Sequence, residues 1–488
     1  MTAFSMKQSI GCITPRGNIY TINKDKKLLY LTHPKLAAAF YGNDELQDAD
    51  DYYIRKAKYF EEYGLLDGIE HQYDGVITPS MVRNSLANLN QLVFEVTDAC
   101  NLQCKYCGYR ELYDDYDQRT ARMMGFEEAK RIIDYLIDIW NSSVQEFTNR
   151  EIYFGFYGGE PLLNMKLIKE IVSYVESCHI PHRSVCFSMT TNAMLLNQHM
   201  DYLAEKEVRL LISLDGNEWN NSYRLTVDGK NSFKRNIANV DALKEKYPEY
   251  FEKYVSFNAV LHNRNSVDEI FTFIKERYGK APRISPLNDV GIREDKKEEF
   301  EKMYKNATES LYQSKNYELI LDEMFMNTGE YNMLGTFLMQ YNQNVFRTYN
   351  NLFTTISPRN FIPTGTCKPF SRKMFVTVNG KILPCERIGQ QYGMGCVESC
   401  LPVNLSFEEI AEYYNRCLDK LRSQCQTCYR TQSCSQCMFS IDRFDSQEQV
   451  KCPEYTDAKT FAGYVSQNIS FIEEHPNAYE RVMDVVIA

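Results

Sequence analysis

The sequence predicts an α/β fold built on a parallel sheet, and three observations lead there. Between residues 90 and 290, six short runs rich in apolar, β-branched and aromatic residues alternate with helix-length segments, a pattern of parallel strands joined by right-handed crossovers. The chain has 488 residues, 44% hydrophobic and 25% charged, enough for packed cores in several domains. Ten of its sixteen cysteines lie between Cys367 and Cys452, outside the alternating stretch, which sets a second, irregular region apart. Two architectures satisfy the alternation: a doubly wound open sheet and a partial (β/α)6 barrel of the TIM type. Both place ligands at the carboxyl ends of the strands.

In chain order, residues 1–88 read as a small mixed α/β domain. IYTI and LLYLT flank NKDK as a β-hairpin with a polar turn, and helical periodicity follows over 34–63 up to Gly64. In 89–290 the strand-like runs are LVFEVT (92–97), IYFGFY (152–157), VCFSMTT (185–191), RLLISLD (209–215), VSFNAVL (255–261) and a weaker RISPL (283–287). The helical stretches are 126–140, 164–177, 197–206, 232–246 and 266–278. Residues 291–366, charged and Tyr-rich, read as a helical bridge. Residues 367–455 are too dense in cysteine for an ordinary core, so metal is expected to hold them together. Residues 456–488 read as a helical tail.

Composition removes several function classes. The net charge of −10 argues against a general nucleic-acid binder. No run approaches the ~18 apolar residues that span a membrane. The first residues, MTAFSMKQSIGCITPRGN, lack the features of a secretion signal, so a cytoplasmic location is expected. In that compartment thiols stay reduced, and metal ligation or catalysis is the better reading of the cysteines. With seven histidines and no His-Glu-x-x-His pattern, thiolate-only sites favour iron–sulfur clusters or structural zinc. No G-x-G-x-x-G or P-loop is present.

The chemistry-bearing segment is LVFEVTDACNLQCKYCGYR, where Cys100, Cys104 and Cys107 follow the first strand with the spacing C-x3-C-x2-C. Three thiolates from one loop can hold three corners of a cubane cluster and leave the fourth iron open, whereas a structural zinc site wants four closed ligands. The segment resembles the radical S-adenosylmethionine (radical SAM) enzymes, including the aromatic residue (Tyr106) before the last cysteine. The resemblance implies a partial (β/α)6 barrel and a [4Fe–4S] cluster that binds S-adenosylmethionine. It also implies reductive cleavage to a 5′-deoxyadenosyl radical that abstracts a substrate hydrogen. Gly158, Gly159 and Glu160, which on their own read as a tight turn, stand where the family carries a GGE motif holding the methionine ammonium. By the same analogy Thr191, Asn192, Ser213 and Asp215, at the ends of the third and fourth strands, face the ribose and methionine. Arg224 reaches the carboxylate or ribose. Each is equally at home as an ordinary strand-end or turn residue.

The later cysteines run Cys367-x12-Gly380-x4-Cys385, then Cys425-x2-Cys428-x5-Cys434-x2-Cys437, then Cys452. Taken alone, the C-x2-C pairs suit a pair of zinc ribbons. Together they resemble the SPASM domain, with one departure: the last spacing in the quartet is two residues where the family has three. The resemblance implies two auxiliary [4Fe–4S] clusters, three clusters in all. One takes Cys367, Cys385 and Cys437, with an open iron or a fourth ligand from Cys396 or Cys400. The other takes Cys425, Cys428, Cys434 and Cys452. The leftover cysteines (Cys12, Cys178, Cys186, Cys396, Cys400, Cys417) read mostly as small buried hydrophobes. Glu386, directly after Cys385, stands where sulfatase-maturing members carry a proton-accepting Asp, and is also readable as a salt-bridged glutamate.

The SPASM-type resemblance spans roughly residues 90–455 and implies a peptide or protein substrate. The leading expectation is a maturase that forms thioether or carbon–carbon cross-links on a ribosomally made precursor peptide. Residues 1–88 would grip the precursor as an added strand, and a flavodoxin or ferredoxin-type donor would supply electrons. Alternatives are an anaerobic sulfatase-maturing enzyme making formylglycine, an oxidase of a small molecule, a non-catalytic iron–sulfur carrier, and a zinc-held scaffold. A carrier has no use for an open iron beside a methionine pocket, and a scaffold needs no redox centre.

Overall fold

The architecture is that of a computed structural model, which describes residues 9–41, 51–69, 71–143, 151–180, 182–342, 361–398 and 401–487. Its centre is an open nine-stranded sheet. The six expected strands are β4 (Gln91–Thr97), β5 (Glu151–Gly158), β6 (Ser184–Thr191), β7 (Arg209–Ser213), β8 (Val255–Val260) and β9 (Arg283–Ser285). They lie side by side in chain order, each parallel to the next. β4 is buried at every position after Gln91, as an apolar strand covered on both faces must be.

The alternating helices follow the sequence closely. Helices α1 (Pro34–Tyr41), α2 (Asp51–Glu62) and α3 (Pro79–Ala87) precede β4. Between the strands come α4 (Phe126–Ser142), α5 (Met165–Ser177), α6 (Leu196–Glu205), α7 (Phe233–Lys246), α8 (Pro248–Tyr254) and α9 (Val267–Tyr278). Two of these went unmarked: α3, and α8, a short extra helix opened by Pro248 at its first turn. Helix α9 shows why the boundaries were legible: the Ser266 side chain caps its first turn, and Gly279 ends it at φ +73°.

The sheet extends further than six strands. β10 (Met374–Val376) pairs parallel with β4, and β11 (Lys381–Leu383) and β12 (Gly395–Cys396) continue outward as an antiparallel ribbon. The cysteine-rich region is thus built onto the edge of the sheet nearest the Cys100 loop. Glu95 of β4 reaches across this join and accepts the Val378 N–H at 3.0 Å.

Strands β1 (Ser9–Ile13), β2 (Ile19–Asn23) and β3 (Leu28–Leu31) form a separate antiparallel sheet, with the predicted hairpin as β2–β3. The sheet packs on the C-terminal helices: Cys12 and Ile22 share a core with Leu334, Phe337 and Leu338, and with Phe461, Val465 and Val482. Helix Ala458–Glu474 covers β1, where Ser466 Oγ donates to Ile13 O at 2.8 Å. The N-terminal sheet and the C-terminal helices therefore fold together, because a sheet with an apolar face must bury it against another element.

The β2–β3 turn also inserts Asp25 into a buried junction. Its carboxylate meets Lys24 Nζ at 2.8 Å, His71 Nε2 at 3.1 Å, the Ile69 N–H at 3.3 Å and Gln432 Nε2 at 3.1 Å, and its side chain is fully buried. Gln432 lies between Cys428 and Cys434, so the junction ties the N-terminal sheet to the cysteine-rich region. Asp25→Ala strands these donors and is expected to cost about 1–3 kcal/mol, read as a lower urea midpoint with an unchanged slope. Among the described residues no helix is long and apolar enough to cross a membrane.

Candidate functional site

The carboxyl ends of β4–β8 converge on one cavity of about 320 Å³. After β4 the chain turns into the cysteine loop, which pairs antiparallel with residues 223–226. Gln103 N–H donates to Leu225 O at 2.6 Å and Lys105 N–H to Tyr223 O at 3.1 Å, with Leu102 bridged to Thr226. This register sets Cys104 directly opposite Arg224. Cys100, Cys104 and Cys107 all line the cavity, and all three are free thiols.

The glycine pair at the end of β5 is demanded by packing. A Cβ on Gly158, which sits at φ +124°, would lie 2.2 Å from Thr97 O, and one on Gly159 would lie 1.9 Å from Ala99 O. The gap lets Gly159 N–H reach Thr97 O at 2.8 Å and Glu160 N–H reach Ala99 O at 2.9 Å, docking the turn on the base of the cysteine loop. Gly159→Ala is expected to displace that loop and lower stability by about 1–3 kcal/mol, visible in calorimetry.

Glu160 is 1% exposed. One oxygen accepts from Thr191 Oγ1 (2.7 Å) and Leu162 N–H (3.2 Å), the other from Asn192 N–H (2.8 Å). Among the described residues no cation lies within ion-pair distance of it. Burial pushes its pKa up to about 7 against the pull of these neutral donors. Such a carboxylate, satisfied by dipoles and short of a counter-charge, fits a ligand ammonium. Asn192 also bonds Asn101 Oδ1 at 2.8 Å and points its amide at Cys100 Sγ, 3.8 Å away.

Thr191, Asn192, Ser213 and Arg224 line the cavity with Gly158, Gly159 and Glu160; Asp215 does not. Expected to face the ligand, Asp215 instead lies fully buried beneath the cysteine loop. Arg224 grips it with two bonds, Nε at 3.0 Å and Nη2 at 2.9 Å. Val260 N–H (3.0 Å) and the Tyr106 hydroxyl also bond it, and His262 Nε2 stands 3.7 Å away. Despite burial, these partners, led by the Arg224 charge, hold its pKa down to about 2. His262 had no signal in the sequence; it follows β8 in an unremarkable loop.

From the cysteine-rich side, Glu386 enters the same cavity, together with Tyr109, Tyr116 and Tyr157. Lys373 Nζ bonds its Oε1 at 2.9 Å, and Cys385 Sγ lies 3.6 Å from its Oε2. Burial raises its pKa, but the Lys373 charge and hydrogen bond outweigh this and hold it below the usual range. Glu386 is thus salt-bridged, one of its two sequence readings, and it also lines the cavity.

Burial pushes the Cys100 thiol up to about 11 and Cys104 to about 12, so these groups are protonated at neutral pH unless a metal centre claims the thiolates. Cys425, Cys428, Cys434 and Cys452, grouped in the sequence, line one small cavity, and the Thr456 N–H points at Cys428 Sγ at 3.4 Å. Cys367 and Cys437 lie close enough to raise the Tyr414 hydroxyl together, after its burial. Cys396 pairs with Lys381 across β11 and β12, and Cys400 lies outside the described residues. Of the leftover cysteines, Cys12 and Cys417 are buried as expected. Cys186 instead joins a polar cluster with Glu151 and Arg209. Among the described residues no three His, Cys, Asp or Glu side chains are arranged about a single metal ion.

Comparison with known proteins agrees with this geometry. Residues 94–276 match the Radical SAM superfamily. Over 325 residues the chain is 24% identical to a cysteine-type anaerobic sulfatase-maturating enzyme of Clostridium novyi, covering 64% of this chain and 78% of that protein. Over 182 residues it is 30% identical to the radical SAM cyclopropyl synthase TigE of Paramaledivibacter caminithermalis, covering 36% of this chain and 35% of that one. The solved structure of native anSMEcpe with bound AdoMet and Cp18Cys peptide aligns with 81% of this chain and 98% of its own, at a TM-score of 0.53 and 16% identity, a likeness of fold.

Proposed function

We propose, from the premise that this chain is a radical SAM enzyme, that it modifies a peptide, forming thioether or carbon–carbon cross-links on a ribosomally made precursor. One observation carries the reading: the three-cysteine loop, the Gly158–Glu160 turn and Glu386 face one cavity, although they come from two regions of the chain. Cys100, Cys104 and Cys107 would hold the [4Fe–4S] cluster, and Cys425, Cys428, Cys434 and Cys452 a second. Cys367, Cys385 and Cys437 would hold a third. When bound, cluster and S-adenosylmethionine supply one-electron cleavage and abstraction of a substrate hydrogen atom.

The rest is the work of this chain's own side chains. Glu160 binds and orients the methionine ammonium. Asn192 steadies the cysteine loop through Asn101, and Thr191 and Ser213 offer hydroxyls toward the ribose. Tyr109, Tyr116 and Tyr157 wall the cavity against water. Glu386, kept ionised by Lys373, accepts the proton that the substrate sheds as its new bond forms, and the accompanying electron would leave to the one-electron acceptor that the auxiliary clusters supply when bound. Domain roles follow: 1–88 docks the precursor, 89–290 carries the chemistry, 291–366 bridges, 367–455 holds the auxiliary clusters, and 456–488 braces the N-terminal sheet. In support of docking, β3 ends that sheet with Leu29 and Leu31 exposed, an edge suited to strand addition. The setting we infer is cytoplasmic, with a flavodoxin or ferredoxin-type donor.

A second reading, formylglycine formation on a sulfatase, is favoured by the 78% coverage of the Clostridium novyi protein; Glu386 in place of an Asp, and the N-terminal region, count against it. Mass spectrometry of a candidate peptide after anaerobic turnover separates the two. A cross-link removes a pair of hydrogens without creating a carbonyl, and formylglycine leaves an aldehyde that captures a hydrazide. Cleavage of S-adenosylmethionine with neither product, on cysteine- and serine-containing peptides, would defeat both.

A further inference from the structure

We infer that the buried Asp215–Arg224 pair is a positioning element for the cysteine loop and sets the reduction potential of the centre that Cys104 holds. The inference rests on the assignment of Cys100, Cys104 and Cys107 to a cluster, and it gives Asp215 a role its place in the sequence did not suggest. Cys104 and Arg224 are cross-strand neighbours, flanked by the Gln103–Leu225 and Lys105–Tyr223 hydrogen bonds. The Arg224 guanidinium, 7% exposed, turns its Nε–Nη2 edge onto the fully buried Asp215. Tyr106, one residue before Cys107, bonds the same carboxylate, and its ring lies 5.5 Å from the Arg224 guanidinium and 5.6 Å from His262. One carboxylate thereby fixes both strands of the loop.

The same pair makes the local charge opposite Cys104 close to zero: a guanidinium cation balanced by an anion at contact distance, in a site shielded from solvent. A cluster gains one negative charge on reduction, so an unbalanced cation nearby favours the reduced form and an unbalanced anion opposes it. Two other carboxylates near the cysteines, Glu160 and Glu386, are separately engaged, by neutral donors and by Lys373. They give no reason for a change at Asp215 or Arg224 to be masked.

The test is a redox titration of the reconstituted full chain, without S-adenosylmethionine, followed by electron paramagnetic resonance. The relevant signal is the one absent from a Cys100/Cys104/Cys107→Ala variant. Asp215→Asn, leaving the guanidinium unbalanced, is expected to raise the reduced-to-oxidised ratio at fixed potential about tenfold, a positive shift of about 59 mV for one electron. Arg224→Gln, leaving the carboxylate unbalanced, is expected to shift it comparably in the negative direction. The double variant should return near the parent value, which also controls for loss of fold. Shifts of the same sign in both single variants, or no shift in either, would overturn the inference. Absence of any such signal in the unmodified protein would overturn the cluster assignment itself, and is recognisable before a variant is made.

Discussion

Cys104→Ala is expected to abolish reductive cleavage of S-adenosylmethionine to 5′-deoxyadenosine, leaving only the rate of a dithionite control without protein. The size of the effect follows from position. Cys104 would be the middle ligand of three on one short loop, and among the described residues no other thiol lines that cavity: Cys12 and Cys417 lie in other cores, and Cys186 is bound up with Glu151 and Arg209. Two thiolates do not hold a cubane whose fourth iron must stay open. Loss of cleavage should come with loss of about four iron atoms per chain, while the auxiliary sites keep theirs. Cleavage that persists in the variant would remove the loop from the reaction.

Glu160→Gln is the second large effect, and it appears in binding. The amide keeps the shape but cannot counter an ammonium, and it sets an NH2 against the Asn192 N–H or the Thr191 hydroxyl. A lost charge-assisted hydrogen bond of about 1.5–3 kcal/mol corresponds to roughly 10- to 150-fold weaker S-adenosylmethionine binding, measurable by equilibrium dialysis on the loaded enzyme. The pH dependence has a definite sign. Burial raises Glu160 from 4.5 to about 7 in the folded chain, so ligand-free protein binds a proton that the unfolded chain releases. Its stabilising contribution is full below about 4.5 and is lost as pH rises through about 7. Affinity for the ammonium runs oppositely, falling as pH drops below about 7, and both trends should flatten in Glu160→Gln.

Much of the fold was legible in the sequence for a physical reason. Short runs rich in apolar, β-branched and aromatic residues alternate with helix-length segments, so β4–β8 stood out, and even the three-residue β9 was marked by its place in the alternation. The spacing of Cys100, Cys104 and Cys107 was equally plain, because ligands on one loop are local in sequence. Long-range relations were not visible. β10 is three residues long and pairs with a strand about 280 residues earlier, with no periodicity to announce it. Nor could the sequence reveal that Asp215 turns down to Arg224 and away from the cavity, that Lys373 faces Glu386, or that the N-terminal sheet needs the last helices to cover it. Each depends on which side chain meets which across the fold.

Three cysteine groups would hold three clusters, one of them at the cavity that Glu160 and Glu386 share. Iron and acid-labile sulfide per chain, after purification and reconstitution without oxygen, test it most directly. About twelve of each are expected, falling to about eight in a Cys100/Cys104/Cys107→Ala variant. Two or three zinc atoms with almost no iron, or an iron count unmoved by that variant, would contradict it.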